Sequence, residues 1–511
     1  MRLTTSKAMR DADSKAIHVL GIPSTLLMTN AAGHIAAAAM GLINGKKSAV
    51  IFCGCGNNGG DGVAAASYLL RRGVEVRCFL VGDRTKMTED CAEMERRLTE
   101  LGGRLEDFSA DEARKALSGA GVVIDAMFGI GLNADLKGKA LKAVELINSA
   151  DVPVVAADIA SGVEADSGRI LKAAVKADVT VTFSLAKTGH FVEPGCTCCG
   201  QLRIADIGIP AEVVAETETD VIAVMYDELS LPARSPLSHK GDYGKLLVVG
   251  GSVGYTGAPV LCARAAARSG AGLVSLGVPQ TIYEIAASHL LEPMPFPLQD
   301  GAGGLLSSKA AVQIRDKLQS CDACVIGCGL GRSDELSKLV RGLLCESGRR
   351  FVIDADGLYA LGDDPAVIKA ADIPPILTPH EGEFVRLGGA LSGDRVSDAR
   401  KFADERNCIL VLKGHHTICA FPGEEVYIIP FGNAGMAKGG SGDLLAGIIG
   451  GLVVQLPVKQ AVVTACAIHA LAGDSCAKEL GEYSMLPSDI LDEIPEITKE
   501  IIFNSRKEWS K

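Results

Sequence analysis

Short, uniformly apolar runs alternate along this chain with longer stretches whose apolar residues recur at helical spacing. In the first half the runs fall at 48–53, 74–81, 122–127, 152–159 and 179–183. They lack the in–out alternation of a half-exposed strand, so they predict parallel strands buried on both faces. The segments 62–72, 89–101 and 139–149 predict the helices that cover them. The second half begins near Leu231 and repeats the logic, with strands predicted at 245–249, 273–278, 323–327, 351–354, 375–378 and 409–412. Runs at 416–421 and 425–429, turning at Phe421-Pro-Gly-Glu424, read as a hairpin. After a stretch (211–227) with no strong glycine signature, two α/β domains, 1–220 and 225–511, join near residues 220–230. Neither an internal repeat nor a low-complexity segment is visible.

In parallel sheets ligands bind beyond the carboxyl ends of the strands, and the polar signatures fall there. The first strand runs into Cys53-Gly-Cys-Gly-Asn-Asn-Gly-Gly-Asp-Gly62. Later strands run into Asp125-Ala-Met-Phe-Gly-Ile-Gly-Leu132 and Asp158-Ile-Ala-Ser-Gly162. The first loop is not the usual GxGxxG fingerprint, and any one of these acids alone reads as an ordinary turn residue or cap. Together, Asn57, Asn58 and Asp61, then Asp125, then Asp158 and Ser161 make an oxygen-rich pocket. Such a pocket suits a hard cation beside an acid or base.

The densest signature lies in the second half, at GNAGMAKGGSGDLLAGIIG (432–450). Glycines let backbone N–H groups close on a phosphate, and the helix that follows adds free donors at its start. Asp443 is out of place in a site that only binds anions. It makes sense where a hydroxyl beside a phosphoryl group must be deprotonated or oriented; the plain alternative is a helix cap. Gly250-Gly-Ser-Val-Gly-Tyr-Thr-Gly-Ala-Pro259, Gly327-Cys-Gly-Leu-Gly331, Asp354-Ala-Asp-Gly357, Thr378-Pro-His-Glu-Gly-Glu383 and Lys413-Gly-His-His-Thr417 are further loops at strand ends. Singly, His380 reads as a helix-start residue, Asp354 and Asp356 as turn acids, and Lys413 as a solvated strand end. Their joint placement argues for a nucleotide site.

Composition narrows the classes. The chain is 511 residues long, enough for two to four domains. A formal charge of −11 argues against the broad basic face that nucleic-acid binding needs. Sixteen cysteines are scattered. Cys321-Asp-Ala-Cys324 with Cys328, and Cys196-Thr-Cys198-Cys199, lack a second half at metal-ligand spacing, so reduced core thiols in a cytoplasmic protein are the better reading. No signal-peptide pattern opens the chain, and the longest early apolar run, 35–43, is too short to span a bilayer.

GNNGGDG, DAMFGIGL, DIASGVEADSG and TFSLAKTGHFVEPG…ADIGIP resemble the NAD(P)H-hydrate epimerase (YjeF N-terminal) family over roughly residues 1–215. The resemblance implies a Rossmann-like three-layer domain. Asn57, Asn58, Gly59, Gly60 and Asp61, with Gly129, Ile130, Gly131, Leu132, Asn133, Ala134 and Asp135, would contact the hydrated nucleotide. It also implies that Asn58, Asp125 and Ser161 ligate potassium, while Asp158 contacts substrate and handles a proton. Ile130, Ala160 and Glu164 depart from the family's commonest Thr, Pro and Asp. Over roughly 230–500, GGSVGYTGAPVLCARAA, TPHEGEF, LKGHHTI and NAGMAKGGSGDLLAGIIG resemble the ribokinase-like, ADP/ATP-dependent NAD(P)H-hydrate dehydratases. That resemblance implies substrate contacts at Ala258, Gly331, His380 and Asp443, and nucleotide contacts at Lys413, Gly414, His415, His416, Thr417 and Gly442. Relatives often carry small residues at 415 and 416, and Lys438 replaces a small or hydroxyl residue as a further phosphate contact.

The implied chemistry is repair of hydrated nicotinamide nucleotides, NADHX and NADPHX. The C6 hydroxyl is a poor leaving group, and phosphorylation by ADP, with magnesium on its phosphates, converts it into departing phosphate. Asp443 is the expected base. Only one C6 epimer can present its hydroxyl to that base, which explains an epimerase on the same chain. A homo-oligomer without membrane or nucleic-acid partners is expected. Two other readings stay open at this point: a kinase for a small hydroxylated metabolite, and a nucleotide- or RNA-sensing first domain.

Overall fold

A computed structural model describes residues 1–43, 45–217, 220–362 and 365–508. The chain folds into two compact units, one of Arg2–Val221 and one of Met1 with Ile222 onward. The first unit is a seven-stranded sheet in the order β3-β2-β1-β4-β5-β6-β7. Its strands are β1 (Ser48–Cys53), β2 (Glu75–Leu80), β3 (Leu105–Asp107), β4 (Val122–Ala126), β5 (Val154–Ala157), β6 (Val179–Phe183) and β7 (Gln201–Ala205). All pair in parallel, and the order reverses between β1 and β4. That reversal is the switch point at which doubly wound sheets open a crevice.

Alternate residues of β1 enter two different cores. Ile51 and Cys53 pack with α2 (Ser24–Leu42), α3 (Asn57–Arg71) and α4 (Glu89–Glu100). Val50 and Phe52 pack with α5 (Ala110–Gly119) and α6 (Gly138–Ser149). Ahead of these, α1 (Ser6–Ser14) is capped by Thr5, whose Oγ1 accepts from the Ala8 N–H. α2 corrects the expectation drawn from the run 35–43. It is 19 residues long and apolar enough to cross a membrane by length and composition, because Thr29, Asn30 and His34 interrupt the apolar run without ending the helix. Its Leu27, Met28, Ala31, Ala32 and Ile35 lie in the first unit's core, as in a core helix.

The second unit is a ten-stranded sheet, β11-β10-β9-β12-β13-β14-β15-β16-β17-β8. These are β8 (Val221–Ala223), β9 (Lys245–Val249), β10 (Leu273–Pro279), β11 (Met294–Leu298), β12 (Ala323–Ile326), β13 (Arg350–Ile353), β14 (Ile376–Leu377), β15 (Ile409–Leu412), β16 (Thr417–Ala420) and β17 (Val426–Ile429). β11 through β15 are parallel, and β16 and β17 form the expected antiparallel hairpin. Leu246 and Val248 face a core shared with α7 (Gly257–Arg268), α8 (Ser441–Val453) and α9 (Val458–Leu480). Leu247 and Val249 between them are equally buried, so the sheet is covered on both faces.

The glycine-rich segment after β1 differs from its reading as a loop. It is helical from Asn57, so Asn58 and Asp61 project from the first turns of α3. Gly59 permits this, because a Cβ there would stand 1.9 Å from the Gly54 carbonyl oxygen. At α8, Gly440 occupies the residue before the helix with φ +104°, a conformation that L side chains rarely adopt.

Candidate functional site

In the first unit, a cavity of about 710 Å³ opens at the sheet's reversal point. Asn57, Asn58 and Asp61 of α3, Gly129, Ile130, Gly131 and Leu132 of the loop after β4, and Asp158 after β5 all line it. Asp158 has φ +66°, rare for a residue with a side chain and a strain of about 1–3 kcal/mol. The distortion aims its carboxylate inward. Oδ1 accepts from Lys187 Nζ at 2.6 Å and from Thr182 Oγ1 at 3.2 Å, and Oδ2 accepts from the Ile130 N–H at 3.3 Å. Burial alone would raise the Asp158 pKa, but the Lys187 ammonium overrides it and holds the carboxyl below its usual range. His190 closes the arrangement from behind: Nδ1 accepts from the Lys187 N–H, and Nε2 lies 2.9 Å from the Asp158 carbonyl.

Beneath the cavity floor, Asp125 is fully buried. It accepts from Ser161 Oγ at 2.7 Å, the Ser161 N–H at 2.8 Å and the Met127 N–H at 3.2 Å. Burial nonetheless pushes it up to about 6. Both amide atoms of Asn58 are buried without a hydrogen-bond partner among the described residues. A Cβ on Gly129 would stand 2.9 Å from Asp158 Oδ2 and 3.3 Å from Asn58 Oδ1, so the loop closes tightly over both groups. Asn58 Oδ1 next to Gly129, and the Asp125–Ser161 pair that holds the same loop at Met127 and Phe128, are oxygen donors of the kind a hard cation takes. Asn133, Ala134 and Asp135 are exposed and lie outside the cavity lining, while Gly59 and Gly60 are buried in the helix backbone.

The second unit gathers its polar groups at the ends of β12 to β15. Asp354 is 2 % exposed; Oδ1 accepts from Thr378 Oγ1 at 2.7 Å and Lys413 Nζ at 2.9 Å. Asp356 accepts from the Gly331 N–H at 3.0 Å and Arg332 Nε at 2.8 Å. Ala355 between them has φ +49°, which turns the two acids to different partners. Lys413 is therefore no solvated strand end. Burial would lower its pKa, but Asp354 and Glu383 outweigh that and raise it.

Asp443 sits on the first turn of α8. One oxygen from Asp443, one from Asp354 and the Cys328 sulfur all lie within 4.8 Å of one another. A Cβ on neighbouring Gly442 would be 3.3 Å from Lys413 Nζ and 3.4 Å from Asp354 Oδ2. Burial first, and the Asp354 charge second, push Asp443 up to about 6. Ala258 lies against Gly329, and Gly331 lies near Ser252.

His380 does cap a short helix, Glu381–Arg386: its Nδ1 accepts from the Gly382 and Glu383 N–H groups. The imidazole is still joined to the cluster, with Nε2 3.6 Å from Glu383, itself 3.9 Å from Lys413. His415 and His416 stack on each other at 4.5 Å, after Gly414 and before Thr417 at the start of β16. Lys438 departs from its expected phosphate role. Its ammonium donates to the carbonyls of Tyr483 and Met485, which ties it to the loop after α9. A cavity of about 850 Å³ lined by Arg234, Tyr243 and Leu452 lies toward the other end of α8 and holds none of these groups.

Lys187 and His190 escaped the sequence reading as site residues, although both lie in the quoted TFSLAKTGHFVEPG. A lone lysine in a polar stretch looks solvated, and its 1 % exposure is a tertiary fact. Asp13 also lines the first cavity, and no glycine motif surrounds it to draw attention.

Comparison with known proteins agrees with this division. Residues 246–496 match a family profile described as NAD(P)H-hydrate dehydratase, and residues 24–189 match the YjeF-related protein N-terminus. The bifunctional NAD(P)H-hydrate repair enzyme Nnr of Moorella thermoacetica is 38% identical, over 98% of this chain and 97% of that protein. The enzyme of the same description from Thermofilum pendens is 35% identical over 98% and 97%. A solved ADP/ATP-dependent NAD(P)H-hydrate dehydratase from Bacillus subtilis, co-crystallised with ATP and Mg2+, is 29% identical; the match covers 53% of this chain and 95% of that one, with a TM-score of 0.46. With both family segments present and full-length relatives above 30% identity, this chain belongs to the bifunctional NAD(P)H-hydrate repair enzymes, which act on hydrated NADH and NADPH as epimerase and dehydratase.

Proposed function

We propose that the second unit dehydrates the S epimer of NAD(P)H hydrate with ADP as phosphoryl donor, and that Asp443 is its base. The observation that carries this reading is the placement of Asp443: a partly desolvated carboxylate on the first turn of α8, beside the Asp354–Lys413 pair. A base near neutrality is suited to taking a hydroxyl proton at physiological pH. As Asp443 takes the C6 hydroxyl proton, the oxygen attacks the terminal phosphoryl group and AMP departs. The N1 lone pair then expels phosphate with the C6–O electron pair, and loss of a C5 proton restores the dihydropyridine. Backbone N–H groups at the start of α8 and the Lys413 ammonium meet the charge that develops on the phosphoryl oxygens. Magnesium would neutralise the nucleotide phosphates, with the buried Asp354 carboxylate as a hard ligand within reach.

The first unit is proposed to interconvert the R and S epimers in the cavity around Asp158. Asn58, Asp125 and Ser161 would hold potassium there, which supplies fixed positive charge under the substrate. The sixteen free cysteines, most of them buried, support a reducing cytoplasmic setting. The test is to mix the purified chain with both hydrate epimers, with and without ADP or ATP, and to follow the return of dihydronicotinamide absorbance and release of phosphate. Full recovery from the R epimer only when nucleotide is present is the expected result. A stable phosphorylated alcohol would make the second unit a simple kinase.

A further inference from the structure

Five carboxyl groups line the first cavity: Asp158 after β5, Asp61 on α3, Asp13 on α1, and Asp83 and Asp90, which accept from Thr85 and from Ser24 Oγ. The position of α1 is fixed by its entry. Thr4 donates its N–H to the Ala186 carbonyl at 2.8 Å, in a parallel bridge with Lys187. The Ser6 N–H donates to Asp166 Oδ1 at 2.6 Å. The chain thus runs beside the segment that carries Lys187 before it turns into α1 and brings Asp13 to the cavity wall. Unlike Asp158, the Asp13 carboxyl takes no hydrogen bond among the described residues.

We propose that Asp13 is the proton donor to the departing C6 hydroxyl in epimerisation, with Asp158 receiving the proton of the water that returns. This rests on the epimerase reading of the cavity. In the step, the Asp13 proton passes to the hydroxyl oxygen and the C6–O bond breaks with its electron pair on oxygen. The N1 lone pair completes a C6=N1 iminium, and the hydroxyl leaves as water. Water then adds to the other face of C6, the iminium pair returns to N1, and the surplus proton goes to Asp158. Exchange with solvent restores both carboxyls.

The electrostatics divide the roles in the same way. Asp158 is held ionised by Lys187. Asp61 is held well above the carboxylate range by burial and by Asp158, Asp13 and Asp90, so it keeps its proton. Asp13, facing Lys187 and Asp158, is raised by burial to about 6 and can exchange a proton near neutrality.

The experiment uses the full chain without nucleotide, so that dehydration is idle, and separates the two epimers chromatographically over a range of pH. A general acid must be protonated, so the native rate should fall as pH rises through about 6. Asp13→Asn should lower kcat by about 10²-fold with little change in KM, and should remove that alkaline limb. Asp13→Glu should keep most of the rate and displace the limb. Persistence of the limb unshifted in Asp13→Asn or Asp13→Glu, or a normal rate in Asp13→Asn, overturns the proposal. The denaturant midpoint of the first unit in the same preparations reports its folding; should Asp13→Asn be unfolded there, the position of the Asp13→Glu limb decides. If Asp158→Ala abolishes epimerisation while Asp13→Asn does not, only the role of Asp13 falls. If neither variant slows it, the epimerase reading of the cavity falls with it.

Discussion

Two buried acid–lysine pairs, Asp158–Lys187 and Asp354–Lys413, do opposite work for the groups around them. Lys187 is nearly inaccessible and locks Asp158 in its ionised form. Replacing it by Met leaves a buried carboxylate without a cation, so Lys187→Met should destabilise the first unit by about 3–5 kcal/mol, read from denaturant unfolding. An unchanged midpoint would mean that solvent already screens the pair. In the second unit Lys413 neutralises Asp354, whose residual charge helps keep Asp443 near 6. Here the reacting group must be ionised, so kcat/KM for dehydration should fall as pH drops through about 6. Asp443→Asn should cost at least about two decades of dehydration and leave epimerisation intact. A variant with near-normal turnover would remove Asp443 from the role of base.

At the scale of elements, each site has a helix start shaped by a glycine: Gly59 leaves no room for a Cβ, and Gly440 holds φ +104° ahead of α8. Gly59→Ala would drive a Cβ to within 1.9 Å of a backbone oxygen, so α3 must shift. The expected cost is about 1–3 kcal/mol to the first unit and a loss of epimerisation, with dehydration as the unaffected control. Normal epimerisation by that variant would show that the first turn of α3 does not position the substrate. The strands that escaped sequence reading, β3, β7, β8 and β11, are the four edges of the two sheets. β3, β7 and β11 have one neighbour and an open side, so they need no apolar run, whereas β8 is only three residues long and its far side bonds to Met1 and Leu3. β11 even carries Pro295 and Pro297, which a central strand would reject.

For the whole molecule, the division into two units predicts separable activities. Asp158→Ala should leave the R epimer unrepaired while the S epimer is dehydrated at the native rate; parallel loss of both activities would indicate a structural role for Asp158. ADP with magnesium at about 100 times its Kd should stabilise the second unit by about 2.7 kcal/mol and leave unfolding of the first unit unmoved. The central strands, some of the helices between them and the glycine motifs at strand ends were legible in the sequence, because a strand buried on both faces needs unbroken apolar residues and a phosphate site needs glycine; the helix Ala110–Gly119 and the helical first turn at Asn57 were not. Tertiary structure alone decided which acid keeps its proton. That depends on depth and on which lysine lies across the cavity, and Lys187 and Asp13 stand 174 residues apart in the chain (187 minus 13). No local pattern records such a distance.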